Sequence, residues 1–575
     1  MCIDFKQIGK FMLEKLRKVR DFFAVSAGEA AYILLMFIIM LVINYLLIAM
    51  NGFSLSYSKI WPPLSCLNDV IPLLFFLLTG HFICRRNRWF LWGVTTAQFL
   101  ILFILLAIYF TTGTFFCESV LYLVYDTTWE ETEGFFSAYV SFKSLLILTV
   151  IAAAYFVSLY FAMKLYQPAK KYCAGDLGAI GVIVLILLWP AVNTVRSGEW
   201  NVVSAMFQTH PLNGIYEHIR SFNRHAGEFI VEMRHRTPPD YVVLAPELAE
   251  EPPIGVLVIG ESAIRSHHSI YGYERNTTPN LLARRDAIIA FDDTIAVLPM
   301  TITALKYWLT NMTLENRHVA WTVFDALKVA GYRIDVITNQ NKSGWADSPL
   351  QMIFSTADSI TYMHEENFSD LQEDRDAGIY DGILLPSFIQ WVAVSTDRKA
   401  DATPRLAVVH LFGSHEPYAS RYPADFSRIF LDDTGYSPRV NEYDTSVLYT
   451  DMVLGRMLEE LEKLDRPAYL VYISDHGSVC DTERLRTPGS EENTAYEVPF
   501  LIWTNRRYRE LMADTVRRMN DRRHVPLQAD RAHFGLLEMM GIIFTKDVER
   551  ENFLSENFME LPRFIREGQA PYIKE

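Results

Sequence analysis

Apolar and polar residues are arranged differently in the first 200 residues and in the rest of the chain. In the first part, five apolar runs approach the roughly 20 residues that a helix needs to span a membrane. These runs cover Tyr32–Met50, Val70–Cys84, Trp89–Phe110, Ser144–Met163 and Leu177–Val192. The second run contains Pro72 and His81, and the fifth ends at Trp189-Pro190, so each of these two also fits a buried globular helix.

The basic residues between the apolar runs predict their orientation. Six lysines and arginines precede the first run, three arginines separate the second from the third, and three lysines separate the fourth from the fifth. The alternate loops, residues 51–69 and 111–142, are poor in both residue types. Because loops rich in Lys and Arg stay in the cytoplasm, the pattern predicts five spans, a cytoplasmic N-terminus and an outer location for everything after residue 192.

A transition region follows the apolar runs. Residues 194–253 carry aromatic side chains on a polar background, which is typical of helices on a membrane surface but fits packing under the next domain equally well. Five prolines between residues 238 and 253 indicate a linker. We therefore predict a cytoplasmic N-terminus at residues 1–30, a five-span transmembrane domain at 31–193, interfacial helices and linker at 194–253, and a soluble domain at 254–575.

From Ile254 onward, apolar runs of strand length alternate with helical patterns, which predicts an α/β domain whose mostly parallel sheet is covered by helices on both faces. Four of these strands end in polar residues: Ile254–Ile259 before Glu261, Tyr332–Ile337 before Asn339, Leu406–Leu411 before His415, and Ala468–Ile473 before Asp475 and His476. Ligands of open α/β sheets bind at the carboxyl ends of the strands. We therefore expect an active site where these four ends converge.

Composition excludes some classes of protein. The net charge of −14 argues against a nucleic-acid partner, which requires a basic surface.

Of the six cysteines only Cys480 lies in residues 254–575, so this domain has no internal disulfide and no CxxC zinc motif. Cys66 and Cys117 fall on the predicted outer side, where a disulfide between them and two free thiols are both open.

The pair Asp475-His476 is the sharpest local signal for chemistry. A carboxylate and an imidazole directly after a strand can reach the same divalent cation, and this combination of ligands suits zinc. The pair alone also fits a structural Asp–His hydrogen bond, and Glu261 alone fits a helix-capping acid. The three residues on one edge of the sheet are better explained as a metal site.

Thr301 follows Pro299-Met300 at the point where a helix is predicted to begin. Its hydroxyl can cap that helix, which is the usual role of Thr at such a position. Alternatively it can act as a nucleophile, activated by a metal ion and by the positive end of the helix, which also favours an incoming phosphate. The residues themselves slightly favour the cap.

Six segments in order resemble the phosphoethanolamine transferases of Gram-negative envelopes, a family in the alkaline phosphatase/sulfatase superfamily. The resemblance covers nearly the whole chain, includes the five-span anchor, and is greatest to the branch that modifies the lipopolysaccharide core. The segments are Gly260–Leu281, Leu298–Leu305, Ile337–Gln340, His410–Pro423, Tyr443–Asp451, and Ser474–Gly477 with Val498–Trp503.

The resemblance implies a membrane-bound transferase in the bacterial inner membrane with a periplasmic catalytic domain. It would take phosphoethanolamine from phosphatidylethanolamine, hold it covalently on Thr301 and pass it to a lipopolysaccharide core or lipid A acceptor. The implied zinc ligands are Glu261, Thr301, Asp475 and His476. His415 would bind the phosphoethanolamine or protonate the leaving oxygen.

The chain departs from the family between Gly477 and Glu497, where relatives carry another active-site histidine and this sequence has none. One zinc site is therefore expected, and a second is in doubt. Anionic substrates also call for cations nearby, and Arg265, Lys306 and Arg421 are candidates for substrate binding. Each of the three also fits a surface or structural charge.

Three other functions can be compared with this interpretation. A sulfatase would need a CxPxR-like element where Thr301 stands, and the sequence has none. A glycerophosphate transferase of the lipoteichoic acid synthase type shares the anchor, the threonine and the metal site. A catalytically inactive scaffold protein of the envelope would explain the absent histidine, and it predicts neither zinc binding nor any effect of replacing Thr301.

Overall fold

The computed structural model describes residues 227–340, 349–363, 380–396, 403–426, 428–480, 492–565 and 570–574, the helix Phe142–Leu165, and scattered positions in 93–108 and 219–224. The chain divides into two compact units with a boundary between Ser221 and Phe222. In the first unit, Phe142–Leu165 overlaps the fourth predicted span. Among the described residues, we find no helix that is both long and apolar enough to cross a membrane.

Most of the membrane predictions lie outside the described residues. These include the first, second and fifth apolar runs, most of the third, and Cys66 and Cys117. The number of spans and their orientation stay predictions.

The helix Phe142–Leu165 (α1) lies in the first unit, and the other described helices and strands alternate along the second unit. The α-helices are α1 (Phe142–Leu165), α2 (Pro246–Glu250), α3 (Pro279–Leu282), α4 (Thr301–Leu309), α5 (Val323–Val329), α6 (Pro349–Phe354), α7 (Leu384–Thr396), α8 (Pro438–Glu462), α9 (Arg506–Leu511), α10 (Ala513–Asp521) and α11 (His533–Met539). The strands are β1 (Val242–Leu244), β2 (Ile254–Gly260), β3 (Ile288–Phe291), β4 (Thr294–Ile295), β5 (Arg333–Thr338), β6 (Ser359–Tyr362), β7 (Arg405–His410), β8 (Ala468–Ser474), β9 (Phe500–Thr504), β10 (Leu527–Gln528), β11 (Ile542–Phe544), β12 (Phe564–Ile565) and β13 (Ala570–Pro571).

Seven of these strands form the central sheet, in the order β3-β9-β8-β2-β7-β5-β6. Strands β8, β2, β7, β5 and β6 are parallel to one another, whereas β9 is antiparallel to both β8 and β3. The predicted mostly parallel sheet is confirmed, with one antiparallel strand near its edge. The four strands predicted to converge are adjacent in the order β8-β2-β7-β5, so their carboxyl ends form one continuous edge.

The sheet is buried on both faces because its strands are apolar at successive positions. In β2, Leu257 and Ile259 pack with residues of α4, α5 and α11, whereas Val256 and Val258 pack with α7 and α8. All four of these side chains are fully buried. Burial of an aliphatic side chain of this size contributes about 1.5–3 kcal/mol, so β2 anchors the layers that hold the strand ends in place.

Two predicted boundaries differ from the structure. The sequence pattern of Arg506–Arg518 predicts a single helix, whereas the structure divides this stretch at Met512 into α9 and α10. Residues 227–253, which we predicted as part of a linker, belong to the folded second unit: β1 pairs with β11, and Phe229, Val242 and Leu248 are buried in its core. Pro246 begins the short helix α2, which packs against the domain through Leu248.

His268 gives the domain a testable dependence of stability on pH. Its ring is buried and hydrogen-bonds the Ile264 carbonyl, and burial lowers its pKa from 6.5 to about 4. The unfolded chain therefore takes up a proton at higher pH than the folded one, and the free energy of unfolding falls as pH falls from about 6.5 towards 4. In His268→Asn this contribution, about 3 kcal/mol in full, should disappear from denaturant-unfolding curves measured across that range.

The matched control is His318→Asn. The His318 side chain is exposed, and its hydrogen bond with Glu232 raises its pKa, so its contribution has the opposite sign and is weakened by solvent. Parallel pH profiles for wild type and His268→Asn would contradict the prediction.

Candidate active site

The candidate site lies where β2 and β8 end side by side. The two strands pair in parallel with Gly260 opposite Ser474, so the next residues, Glu261 and Asp475, leave the sheet next to each other. Both carboxylates are buried, and so is His476. The predicted convergence of strand ends therefore brings these three side chains together.

Ser262 holds the turn after β2 in a strained conformation. It has a φ of 58°, a left-handed conformation that is uncommon for residues other than glycine. Its amide donates a hydrogen bond to Asp475 Oδ1 at 3.0 Å, and its hydroxyl donates to Glu261 Oε1 at 2.6 Å. Ser262 thus fixes both carboxylates, a role that its position in the sequence did not reveal.

Glu261, Asp475 and His476 offer ligand atoms that all lie within 4.8 Å of one another. His476 Nε2 is 3.4 Å from Glu261 Oε1 and 3.2 Å from Asp475 Oδ2. Ligands bound tetrahedrally to zinc at about 2.0–2.1 Å are roughly 3.3 Å apart. The spacing of the three side chains therefore matches a shared zinc ion.

The hydrogen bonds around these side chains leave the ligand atoms directed at the centre of the group. His476 Nδ1 is 2.7 Å from the Gly477 carbonyl oxygen, a contact that requires the proton on Nδ1 and leaves the Nε2 lone pair for a metal. Asp475 Oδ2 is buried without a hydrogen-bond partner among the described residues. Burial and the neighbouring Glu261 carboxyl raise the pKa of Asp475 well above its usual range. A divalent cation would relieve this repulsion, so the donor set fits zinc.

Thr301 is the first residue of α4, and it does not cap that helix. Met300 occupies the N-cap position and makes no side-chain capping bond. The Thr301 hydroxyl instead donates a hydrogen bond to Glu261 Oε2 at 2.8 Å and lies 3.4 Å from His476 Nε2. Of the two roles left open by the sequence, the structure contradicts the cap and places the hydroxyl in the carboxylate–imidazole group.

His415 lies on the loop after β7, next to β2 in the sheet. The preceding residue, Ser414, donates its amide to the Glu261 carbonyl at 2.9 Å, so this loop is attached directly to the site. The His415 ring meets the ring of Phe412 edge-on, with centroids 5.6 Å apart, and its Nδ1 lies 2.7 Å from the Glu416 carbonyl. The role of His415 towards a substrate stays a prediction.

The three predicted substrate cations have identifiable partners elsewhere. Arg265 donates hydrogen bonds to the Asp292 carbonyl and to Glu497 Oε2. The Lys306 ammonium lies 5.3 Å from the centre of the Phe229 ring, and the Arg421 guanidinium lies 4.2 Å from that of Phe412. These contacts support structural roles for all three, and only Arg421 shares a neighbour with His415.

The structure describes only part of the segment between Gly477 and Glu497, in which relatives carry another active-site histidine. Residues 481–491 lie outside the described residues, and the turn Asn493–Ala495 packs against Gly477. The Gly477 amide donates to the Ala495 carbonyl at 2.9 Å, and a Cβ at Gly477 would lie 1.9 Å from the Thr494 carbonyl oxygen. Only glycine fits there, so this turn is held close to His476.

A two-faced α/β sheet brings a threonine, two carboxylates and a histidine together at its strand ends, which is the arrangement of an α/β enzyme with a candidate metal site. The family model described as Sulfatase matches residues 253–530. Phosphoethanolamine transferase EptC of Escherichia coli (strain K12) is 28% identical over 486 residues, which cover 79% of this chain and 78% of the relative. Phosphoethanolamine transferase CptA of Salmonella typhimurium is 27% identical over 491 residues, with the same coverage.

The fold has a solved counterpart. The integral membrane protein lipooligosaccharide phosphoethanolamine transferase A of Neisseria meningitidis aligns with 92% of this chain and 98% of its own, with a TM-score of 0.60 and 18% identity. The six sequence segments and the relatives above make this chain similar to phosphoethanolamine transferases over most of its length. The protein is a transferase enzyme.

Proposed function

We propose that the protein transfers phosphoethanolamine from phosphatidylethanolamine to a lipopolysaccharide core or lipid A acceptor through a covalent intermediate on Thr301. The observation that carries this proposal is the hydrogen bond from the Thr301 hydroxyl to Glu261, inside a buried group of two carboxylates and an imidazole. A hydroxyl in this position has a proton acceptor at 2.8 Å, which is the arrangement that a nucleophile needs.

In the first half-reaction, Thr301 Oγ1 attacks the phosphorus of the lipid headgroup, and its proton passes towards Glu261 Oε2. A new P–O bond to Thr301 forms while the P–O bond to the diacylglycerol oxygen breaks. The first turn of α4 starts at Thr301, so its unpaired backbone N–H groups face the phosphate and favour its negative charge. Diacylglycerol leaves, and phosphoethanolamine stays on the threonine.

His415 supplies the proton that the leaving diacylglycerol oxygen requires. In the second half-reaction, a protonated hydroxyl or phosphate oxygen of the acceptor attacks the phosphothreonine and loses its proton to the same histidine. A P–O bond to the acceptor forms while the P–O bond to Thr301 breaks, and Thr301 Oγ1 recovers its proton from Glu261 Oε2. His415 is thereby returned to its protonated state. This cycle needs no second histidine between Gly477 and Glu497, where the sequence has none.

Glu261, Thr301, Asp475 and His476 would hold one zinc ion, which lowers the pKa of the threonine hydroxyl and neutralises charge on the phosphoryl oxygens when bound. The protein residues position the reacting atoms. Ser262 orients Glu261, and the Gly477 carbonyl fixes the His476 ring. With the N-terminal spans as an inner-membrane anchor, this centre would face a lipid donor on the periplasmic side.

The donor is tested by incubating the purified full-length protein with phosphatidylethanolamine and zinc. We expect one phosphoethanolamine adduct per chain in the intact mass and a stoichiometric release of diacylglycerol. Phosphatidylglycerol serves as the matched lipid, because it has the same glycerol backbone and a different headgroup. It should give neither adduct nor diacylglycerol.

Each other outcome contradicts part of the proposal. An adduct from phosphatidylglycerol alone would identify a glycerophosphate transferase of the lipoteichoic acid synthase type. The absence of any adduct, together with the absence of bound zinc, would support an inactive scaffold protein.

A further inference from the structure

A buried carboxylate outside the candidate site, Asp381, organises the loop next to it. Asp381 lies just before α7 and is 3% exposed. Its Oδ1 accepts hydrogen bonds from the Phe412 amide at 2.7 Å and from Asn339 Nδ2 at 2.8 Å, and its Oδ2 accepts from the Gly413 amide at 2.8 Å. Three N–H donors thus converge on one carboxylate.

The backbone that Asp381 holds rests directly on Glu261. Gly413 has a φ of 54°, and a Cβ at this position would lie 2.7 Å from the Glu261 carbonyl oxygen and 2.8 Å from its amide nitrogen. The next amide, that of Ser414, donates to the same Glu261 carbonyl. The position of this loop therefore determines where the Glu261 backbone can lie.

The same loop presents His415. The Phe412 amide donates a hydrogen bond to Asp381, and the Phe412 ring contacts two side chains. The His415 ring packs against it in a T-shaped contact, and the Arg421 guanidinium lies over its face. Displacement of Phe412 would move the imidazole that we assign to proton transfer. Asp381 thus contacts neither substrate nor metal but is linked to both Glu261 and His415 through two consecutive amides.

We propose that Asp381 is a positioning residue that holds the Phe412–Gly413 backbone against Glu261 and thereby sets the geometry of the metal-ligating group and of His415. This inference rests on the proposed function. It also explains the role of Asn339, which belongs to one of the segments shared with the family and donates to the same carboxylate.

An amide cannot replace this carboxylate. In Asp381→Asn one of the two oxygens becomes an NH₂ group, which donates and cannot accept, so the Phe412 or the Gly413 amide loses its partner. A buried amide without a partner is unfavourable, and the loop is expected to shift to avoid this cost. The shift would be transmitted to Glu261 through Gly413.

The test measures zinc affinity by competition with a chelator, using the full-length protein in detergent without any lipid substrate. Asp381→Asn should bind zinc roughly 10–100-fold more weakly than wild type, the usual loss when a residue supporting a metal ligand is removed. The matched control is Asp335→Asn. Asp335 is a buried carboxylate in the same sheet that accepts from Ser359 and Trp391, and its replacement should lower stability without changing zinc affinity.

Gly413→Ala provides a second, independent variant. Its added methyl group would push the loop away from Glu261 and should weaken zinc binding similarly, whether or not Asp381→Asn folds. Because both substitutions displace the same contact, their effects on zinc affinity should be less than additive in the double variant.

Zinc affinity within twofold of wild type in folded Asp381→Asn, or in Gly413→Ala, would overturn the inference while leaving the proposed function intact. Failure of the wild-type protein to bind zinc would instead count against the proposed metal site. The two failures are therefore distinguishable in one set of measurements.

Discussion

Replacement of Thr301 by alanine should abolish the phosphoethanolamine adduct and lower the transfer rate by at least about a thousandfold, which is the scale of loss when a covalent nucleophile is removed. The hydroxyl is the donor to Glu261 Oε2 and the only oxygen that α4 directs at the carboxylate–imidazole group among the described contacts. Without it, the ping-pong cycle has no atom on which to hold the phosphoryl group.

Two variants control for indirect effects of this substitution. Thr303→Ala removes a hydroxyl two residues along the same helix, where it donates only locally to the Met300 carbonyl at 3.2 Å, and it should leave the adduct unchanged. Thr301→Ser keeps a hydroxyl at the reacting position and should retain the adduct with reduced yield. Intact mass spectrometry after incubation with phosphatidylethanolamine reports on all three variants.

Retention of the adduct in Thr301→Ala would mean that another residue is the nucleophile. Such a result would place the covalent step outside the group formed by Glu261, Asp475 and His476. Tandem mass spectrometry of the wild-type adduct identifies the modified residue directly and so separates the two possibilities.

The sheet and the convergence of Glu261, Asp475 and His476 were predictable from the sequence because both depend on local patterns. The four predicted strands agree with β2, β5, β7 and β8 to within one residue at each end. Parallel pairing then brings residues that follow different strands to one edge, so Glu261 and Asp475 were expected to lie close together. They are far apart in the sequence: Ser262, which follows Glu261, lies 213 positions before Asp475.

The residues that orient the site were not predictable because their roles depend on contacts between distant segments. Ser262 takes a left-handed backbone to reach both carboxylates, and no local sequence rule predicts that conformation for serine. Asp381 acts on a loop 31 and 32 residues away. Thr301 was ambiguous for the same reason, since a helix cap and a nucleophile occupy the same position in sequence and differ only in what the hydroxyl faces.

Asp475→Asn should make the metal-free protein more stable and remove its stabilisation by zinc. In wild type, Asp475 Oδ2 is buried without a partner among the described residues, 3.2 Å from His476 Nε2. An Asn side chain keeps the acceptor for the Ser262 and His476 amides and places an NH₂ group where Oδ2 stood. That group can donate to the Nε2 lone pair, so one unsatisfied buried acceptor is removed, a gain of roughly 1–3 kcal/mol.

The same substitution would remove one of the proposed zinc ligands, and with it the neutralisation that zinc would give to the adjacent Glu261 and Asp475 carboxylates. At zinc concentrations 100 times the dissociation constant, wild type should gain about 2.7 kcal/mol of stability, whereas the variant should gain almost none. The order of the melting temperatures of wild type and Asp475→Asn therefore reverses between a chelator solution and a zinc solution.

Asp335→Asn, which alters a buried carboxylate away from the site, should respond to zinc as wild type does. A variant that is less stable than wild type under both conditions would show that Asp475 supports the fold without depending on a metal, and a zinc-induced shift equal to that of wild type would exclude Asp475 as a ligand.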